Sequence, residues 1–282
     1  MANRSYAALI LVALLAPACD EAGEPNDSDF RAGCFPAGGA GLIGLDSIAV
    51  GGTAGINGAA GVFSNKLVKA WGTADVDTDA ISGGTVEVSG GASISGTITQ
   101  GAITVTVPDP TGLVAAAATA NDNAKIPCVK QGNSCKSPVS GGVLTLNSTT
   151  TLVLTAGNYY FKGIAINGQA KLGTKGAVTI YLDGGATFNG GSATNVDTDS
   201  LTIISSSSAP LKLNGAAQAT MNIYAPFADV TFSGTMGFFG TALGKTITTV
   251  GTTDLSLSGS LDDLWDIGCE LRPTDIPEPQ PE

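Results

Sequence analysis

The sequence predicts an all-β fold, a right-handed parallel β-helix (solenoid) with one short helix and a disulfide loop inserted. Three observations point there. A five-residue motif, apolar-x-apolar-[Ser/Asn]-Gly, recurs along the chain. Glycine is about twice its ordinary share, at 39 of 282 residues. Charged residues make up only 13% and aromatics 6%, while Val, Ile and Leu stay plentiful, so the composition is that of short strands and tight turns and not of a disordered chain.

The motif reads VEVSG ending at Gly90, ASISG at Gly96, IAING at Gly168, ATFNG at Gly190, LKLNG at Gly215, VTFSG at Gly234 and LSLSG at Gly259. From Gly168 onward the closing glycines lie 22, 25, 19 and 25 residues apart (190−168, 215−190, 234−215, 259−234). Three alternating residues make a short strand with two side chains on one face. Asn-Gly or Ser-Gly then turns the chain, because glycine accepts positive φ and asparagine tolerates it. One unit cannot bury its apolar face alone; stacked units bury a shared interior and pair their backbones with the units above and below. An antiparallel sandwich is the alternative, but its strands are longer and more aromatic than these.

The elements follow in order. Residues 1–18 read as a secretory signal: Arg4, the apolar run Tyr6 to Ala16, then Ala16-Pro17-Ala18 before Cys19. The run is too short to span a bilayer. Ala16-Pro17-Ala18 fits ordinary signal-peptidase cleavage, and Cys19 also fits the lipidated cysteine of a bacterial lipoprotein. Five cysteines are present: Cys19, Cys34, Cys128, Cys135 and Cys269. If Cys19 is acylated, an even set of four remains for an oxidising compartment. Residues 19–33 are an acidic tether. Residues 34–107 form the first solenoid part, 108–142 a helix and cysteine-loop insertion, 143–269 the second solenoid part, and 270–282 a proline-rich, acidic, disordered tail.

Within the insertion, Asp109 as N-cap and Pro110 at the first helical position predict one helix over LVAAAATANDNAKI. Cys128 and Cys135 then close a small loop, contributing roughly 2 to 3 kcal/mol on the chain-entropy model. Their spacing fits neither a redox CxxC nor zinc. Cys34 and Cys269 bracket the domain and would fasten its two ends, one of three pairings that four cysteines allow.

Charge and composition exclude several functions. Without Arg4 the chain has 12 basic against 24 acidic residues (13 − 1 = 12), a net 12 − 24 = −12, which argues against nucleic acid and against adsorption to anionic lipid. With no histidine, His-based triads, His acid–base catalysis and ordinary zinc sites are excluded. No catalytic set and no cofactor is expected. Polysaccharide cleavage needs clustered carboxylates with a basic partner, yet the mature arginines, Arg31 and Arg272, lie near the ends. Two alternating sets, the triplet Asp75-x-Asp77-x-Asp79 and Asn195-x-Asp197-x-Asp199, put alternate oxygens on one face, and their carboxylates are candidate Ca²⁺ ligands; the plainer reading is a solvated turn that resists edge pairing. Aromatics from Tyr159 to Phe239 read mainly as core, with a carbohydrate-binding surface as the functional alternative. Threonine-rich stretches lack the strict register of an ice-binding face, and Gly240 to Thr246 is one residue short of a phosphate-binding loop.

The segment from GNYYFKG through GFFGTALGKTIT also resembles an uncharacterised bacterial envelope domain that follows pilus-assembly-like (PilX-type) or lipoprotein N-termini. The matching residues are Gly157-Asn158-Tyr159-Tyr160, Ile223-Tyr224-Ala225-Pro226 with Ala228 and Val230, and Gly240 with Gly244-Lys245. The chain departs at Phe227, where that family has Asn, and lacks its His-Tyr-Asp ending near Leu261-Asp262-Asp263. The resemblance implies a solenoid in a cell-envelope setting and no known reaction. The expectation is therefore an exported, lipid-anchored envelope module, structural or adhesive, whose partners are the membrane and envelope polysaccharide or surface proteins. The alternative is a carbohydrate-binding or carbohydrate-cleaving β-helix.

Overall fold

The computed structural model describes residues 39–101, 103–131, 134–190, 193–194, 201–216, 218–259 and 268–271. They form a parallel β-solenoid in which strands stack in three columns, one per face. The first face runs Val143–Leu146, Gly163–Ile166, Ala186–Phe188, Leu211–Gly215, then residues 230–234 and 246–250. The second takes residues 151–155, 171–175, 193–194, 218–220, 237–240 and 254–257. The third takes 157–161, 178–182, 201–205, 222–225 and 241–244.

The stack does not end where this block of sequence ends. Ala40–Val50 pairs in parallel with residues 242–249, and its other edge pairs with Gly61–Ser64 and Leu67–Ala70. Residues 40–100 thus add their coils after residue 257, finishing with Thr85–Val88, Ser93–Ile94 and Ile98–Gln100. Order along the axis is residues 143–257, then 40–100, the reverse of their order in sequence. Gly41 and Gly259 meet in mid-stack, where a Cβ on Gly41 would lie 3.0 Å from the Gly259 carbonyl oxygen.

One corner carries the geometry through this junction. Ser148, Gly168, Gly190, Gly215, Gly234, Gly251, Gly52, Gly72 and Gly90 stack in a column, all with positive φ. At the junction, Gly51 donates to Thr249 O at 2.8 Å and Thr53 to Gly251 O at 2.9 Å, as the contiguous coils do. Gly52 has φ +75° and a Cβ there would meet the Gly251 nitrogen at 2.9 Å, so both conformation and space demand glycine. Gly96 and Gly259, two of the seven motif copies, stand outside this column: Gly96 turns against Thr78 and Asp79 at a different corner, and Gly259 ends the last coil before the junction. Beside the glycines, an amide ladder ties the coils: Asn167 donates to Asn147 at 3.1 Å, Asn189 to Asn167 at 2.9 Å, Asn214 to Asn189 at 3.0 Å, and Ser233 to Asn214 at 2.6 Å.

Some strands are longer than the motif implies. Gln218–Gly234 covers 17 residues and Gly237–Gly251 covers 15, because pairing persists around a corner. The register slips only between Ala225 and Asp229, where Pro226, lacking an N–H, sits without loss. Inside, register-matched columns such as Leu144, Ile164, Ala186, Leu211, Val230, Ile247, Ile48 and Val68 are buried. Phe232 and Phe238 pack there with ring centroids 4.8 Å apart.

The connection between the two blocks returns along the outside of the third face. It comprises Ile103–Thr106, the α-helix Thr111–Thr119, the 3₁₀ turn Asn123–Lys125 and the hairpin Val129–Gln131 with Ser134–Lys136. The helix is shorter than predicted and starts one residue later, with Pro110 at the N-cap and Asp109 accepting from the Thr111 N–H at 2.8 Å. It stops at Thr119 because the following side chains take other partners: Asn121 donates to Ala117 O at 2.8 Å, and Asn123 reaches across to Tyr160. Such local competition is what limits Asn and Asp in helices. Cys128 and Cys135 are bonded, with Cα atoms 5.4 Å apart. Val129 joins the interior core, with Ile126 and Val139 packed against it, and Val139–Ser140 pairs antiparallel with Val143–Leu146. The cysteine hairpin is thus the cap of the stack's first coil.

The junction glycine is open to test. Gly52→Ala is expected to lower unfolding stability by about 2 kcal/mol or more, from αL strain and contact with Gly251. Gly55→Ala, where a Cβ meets nothing within 4 Å, is expected to be nearly neutral; urea denaturation of both variants decides.

Candidate functional site

Each face presents a different chemistry to the outside. On the third face the outward column is apolar: Tyr160, Tyr181, Ile204, Tyr224, Leu243, Ile43, Phe63 and Ile81 lie in register. Val105 and Val114 of the returning strap pack on it, with Val107 beside them. The strap is fastened by side chains that pair with backbone as a strand would. Asn65 accepts from Val105 N at 2.7 Å and donates to Val105 O at 3.0 Å. Asn123 accepts from Tyr160 N at 3.1 Å and donates to Tyr160 O at 2.6 Å. Asp122 accepts from Asn158 N at 2.9 Å while its own N–H donates to Asn158 O at 2.7 Å.

These contacts settle the environment of two tyrosines. Burial, with the Asp109 charge adding to it, pushes the Tyr224 phenol far above its usual range, and its hydroxyl donates to Pro108 O at 2.6 Å. Tyr160 is raised by burial first and then by Asp183, to which it donates at 3.2 Å. The aromatics therefore do not assemble into one exposed platform. Tyr159, Phe161, Phe232 and Phe238 are interior, Tyr160 and Tyr224 lie under the strap, and Phe227 and Phe239 are exposed. The signal for the covered face was legible: third-face strands place two apolar residues side by side (Ile203-Ile204, Ile223-Tyr224, Leu42-Ile43, Val62-Phe63, Ala80-Ile81), which marks strands buried on both faces.

The second face is polar. Asp75 accepts from Ser93 Oγ at 2.6 Å, Asp77 from Ser95 Oγ at 2.5 Å, and Asp79 from the Thr97 N–H at 2.7 Å. The three carboxylates are spread along the coil and each ties it to the next, an arrangement that accounts for their spacing. Among the described residues no group of three or more His, Cys, Asp or Glu is placed to hold a metal ion. Asp197, Asp199, Cys19, Cys34 and the side chain of Cys269 lie outside the described residues.

Further along this face is a shallow depression of about 200 Å³, lined by Gln218, Ala219, Thr220, Gly237, Phe238, Phe239, Asp254 and Ser256. The ladder builds it: Gln218, Gly237 and Asp254 are register partners, as are Thr220, Phe239 and Ser256. Nothing lies within 4 Å of where a Gly237 Cβ would be, which opens the floor. Asp254 is oriented by Asn57, which donates to it at 2.9 Å. An exposed ring beside an amide and a carboxylate suits a ligand with one apolar face and several hydroxyls. Among the described residues of this lining, Asp254 is the one carboxylate. Sequence reading passed over Gln218, Gly237 and Asp254, which are far apart in the chain and carry no motif.

Fold and surface together define a class: a strapped parallel β-solenoid whose polar side chains serve coil-to-coil bonding. No family model, curated protein or solved structure matches the chain. Among the described residues no helix is long and apolar enough to cross a membrane.

The strap's fastening is pH-dependent with a definite sign. Hydrogen bonds from Lys125 and from the Asn158 N–H hold the Asp122 carboxyl below its usual range. A depressed folded value means the contribution is present above the unfolded pKa of about 3.9 and is lost as pH falls through the folded value. Amide-exchange protection at Asn158 is therefore expected to drop on acidification below about pH 3.9, and Asp122→Asn is expected to abolish that step.

Proposed function

We propose that this chain is an exported, lipid-anchored protein of a bacterial cell envelope, whose solenoid is a rigid structural or adhesive module facing the periplasm or the cell surface. The observation that carries the reading is the short apolar run Tyr6 to Ala16 just before Cys19, followed by an acidic tether ahead of the strand Ala40–Val50. Its support includes the even set of cysteines left after Cys19, one pair of which is bonded as Cys128–Cys135, and the resemblance to an envelope domain. Cys34 and Cys269 form the second disulfide in this reading. The module works by stiffness: each coil is paired along its length to its neighbours, and the strap clamps one face.

Acyl chains contribute about 0.8 kcal/mol per buried CH₂, so more than one chain gives durable attachment. Intact-mass analysis of the membrane fraction is expected to show Cys19 as an acylated N-terminus, and Cys19→Ser to move the protein to the soluble fraction. An unmodified Cys19 in the mature protein refutes the anchor.

A second reading, carbohydrate binding, is favoured by the depression beside Phe239. A glycan array on the purified chain tests it: Phe239→Ala is expected to weaken any specific binding by about tenfold, since a lost stacking contact is worth roughly 1 kcal/mol or more. Absence of binding by the wild type removes this reading, and product formation would replace it with catalysis.

A further inference from the structure

The two ends of the stack are finished differently. At the first coil, Val129 of the Cys128–Cys135 hairpin covers the core mouth, Val139–Ser140 pairs with the first-face strand, and Asp122 and Asn123 take up backbone groups of Asn158 and Tyr160 on the third face. At the last coil, residues 85–100, each strand pairs on one side only among the described residues. Interior columns surface there: Val88 and Ile98 are each 45% exposed, although their register partners Ala70 and Ala80 are 0% exposed. Val86, Ala92 and Ile94 are only partly covered. N–H groups of Thr85, Ser89, Ser93 and Ser95 point inward to the preceding coil, so the alternating positions Val88, Ile94 and Ile98 direct theirs outward. A further outward group, the Val86 N–H, is met by the Gln100 side chain at 2.9 Å.

We propose that this open coil is a self-association surface, on which a second copy of the chain docks end to end by two-fold antiparallel pairing. Three observations select that occupant. First, three of the devices that blunt native edges are missing here: residues 85–100 contain no proline and no lysine, and their ladders show no register slip. Second, the coil is electrically quiet in a chain of net charge −11. Its one charged residue, Glu87, is paired with Lys69 at 3.0 Å, so two copies meet without like-charge repulsion. Third, the stack already holds a joint between coils that are not contiguous in sequence, since residues 242–249 and 42–50 pair, there in parallel, so a coil edge of this fold accepts a partner from outside its own run of sequence.

A two-fold axis across the stack maps one face onto itself and exchanges the other two, so every outward strand finds an antiparallel partner. Because the contact is two-fold and uses the same coil of both copies, association closes at two and does not run on as a fibre.

The test is sedimentation equilibrium on the full chain purified after export, in non-ionic detergent so that an anchor does not itself drive association. A species of twice the monomer mass is expected at micromolar concentration. Val88→Lys with Ile98→Lys places ammonium groups at the open mouth and is expected to weaken the dimer by about tenfold or more, with the melting midpoint of the monomer preserved. Should that variant not fold, amide exchange on the wild type decides: protection at Val88, Ile94 and Ile98 is expected to rise with protein concentration. A monomer at all concentrations, concentration-independent protection of these amides, or species larger than a dimer each overturns the proposal.

Discussion

A coil of this protein cannot satisfy its own backbone. Half of its N–H and C=O groups point along the solenoid axis one way and half the other, and each buried group left unpaired costs about 1–3 kcal/mol. The neighbours above and below must therefore present matching strands and turn their corners at the same place. The column of left-handed residues from Ser148 to Gly90 is how that matching is kept. A side chain at such a corner strains its own residue and also presses on the glycine stacked beneath it.

From that constraint the topology follows. What a coil needs is a partner of the right register, and nothing in the pairing requires that partner to be next in sequence. Ala40–Val50 meets the need of residues 242–249 as well as a contiguous coil would. The chain must then travel back along the stack between residues 100 and 143, and the entropic cost of closing a long connection grows only slowly with its length. The return path also supplies a lid for the apolar outer column of the third face, and its last part covers the core mouth at the first coil. Asn65, Asp122 and Asn123 fasten it by acting as short substitutes for strand backbone.

The same logic explains the polar surface. Asn147, Asn167, Asn189 and Asn214 bond to one another, and Asp75, Asp77 and Asp79 bond to the coil beyond them. Side chains that look like ligands in sequence are largely structural here, because a regular stack offers each of them a register neighbour about 4.8 Å away. The depression around Phe239 differs in that a glycine interrupts the row of side chains.

Much of this was written locally. Period-2 alternation, Asn-Gly and Ser-Gly corners, the short helix after Asp109-Pro110 and the close pair Cys128 and Cys135 are local signals, and the β-solenoid, helix and disulfide follow from them without knowledge of neighbours. The helix end was misjudged because Asn121, Asp122 and Asn123 have partners, Tyr160 among them, that only the folded chain brings near. The order of the two blocks was beyond local reading for a deeper reason: a coil's sequence specifies the shape of its edges but not which coil will lie against them. Tertiary structure alone decided that residues 40–100 extend the far end of the stack, that the strap covers the tyrosines, and that Gln218, Gly237 and Asp254 share one depression, since each depends on long-range pairing between segments whose sequences carry no record of one another.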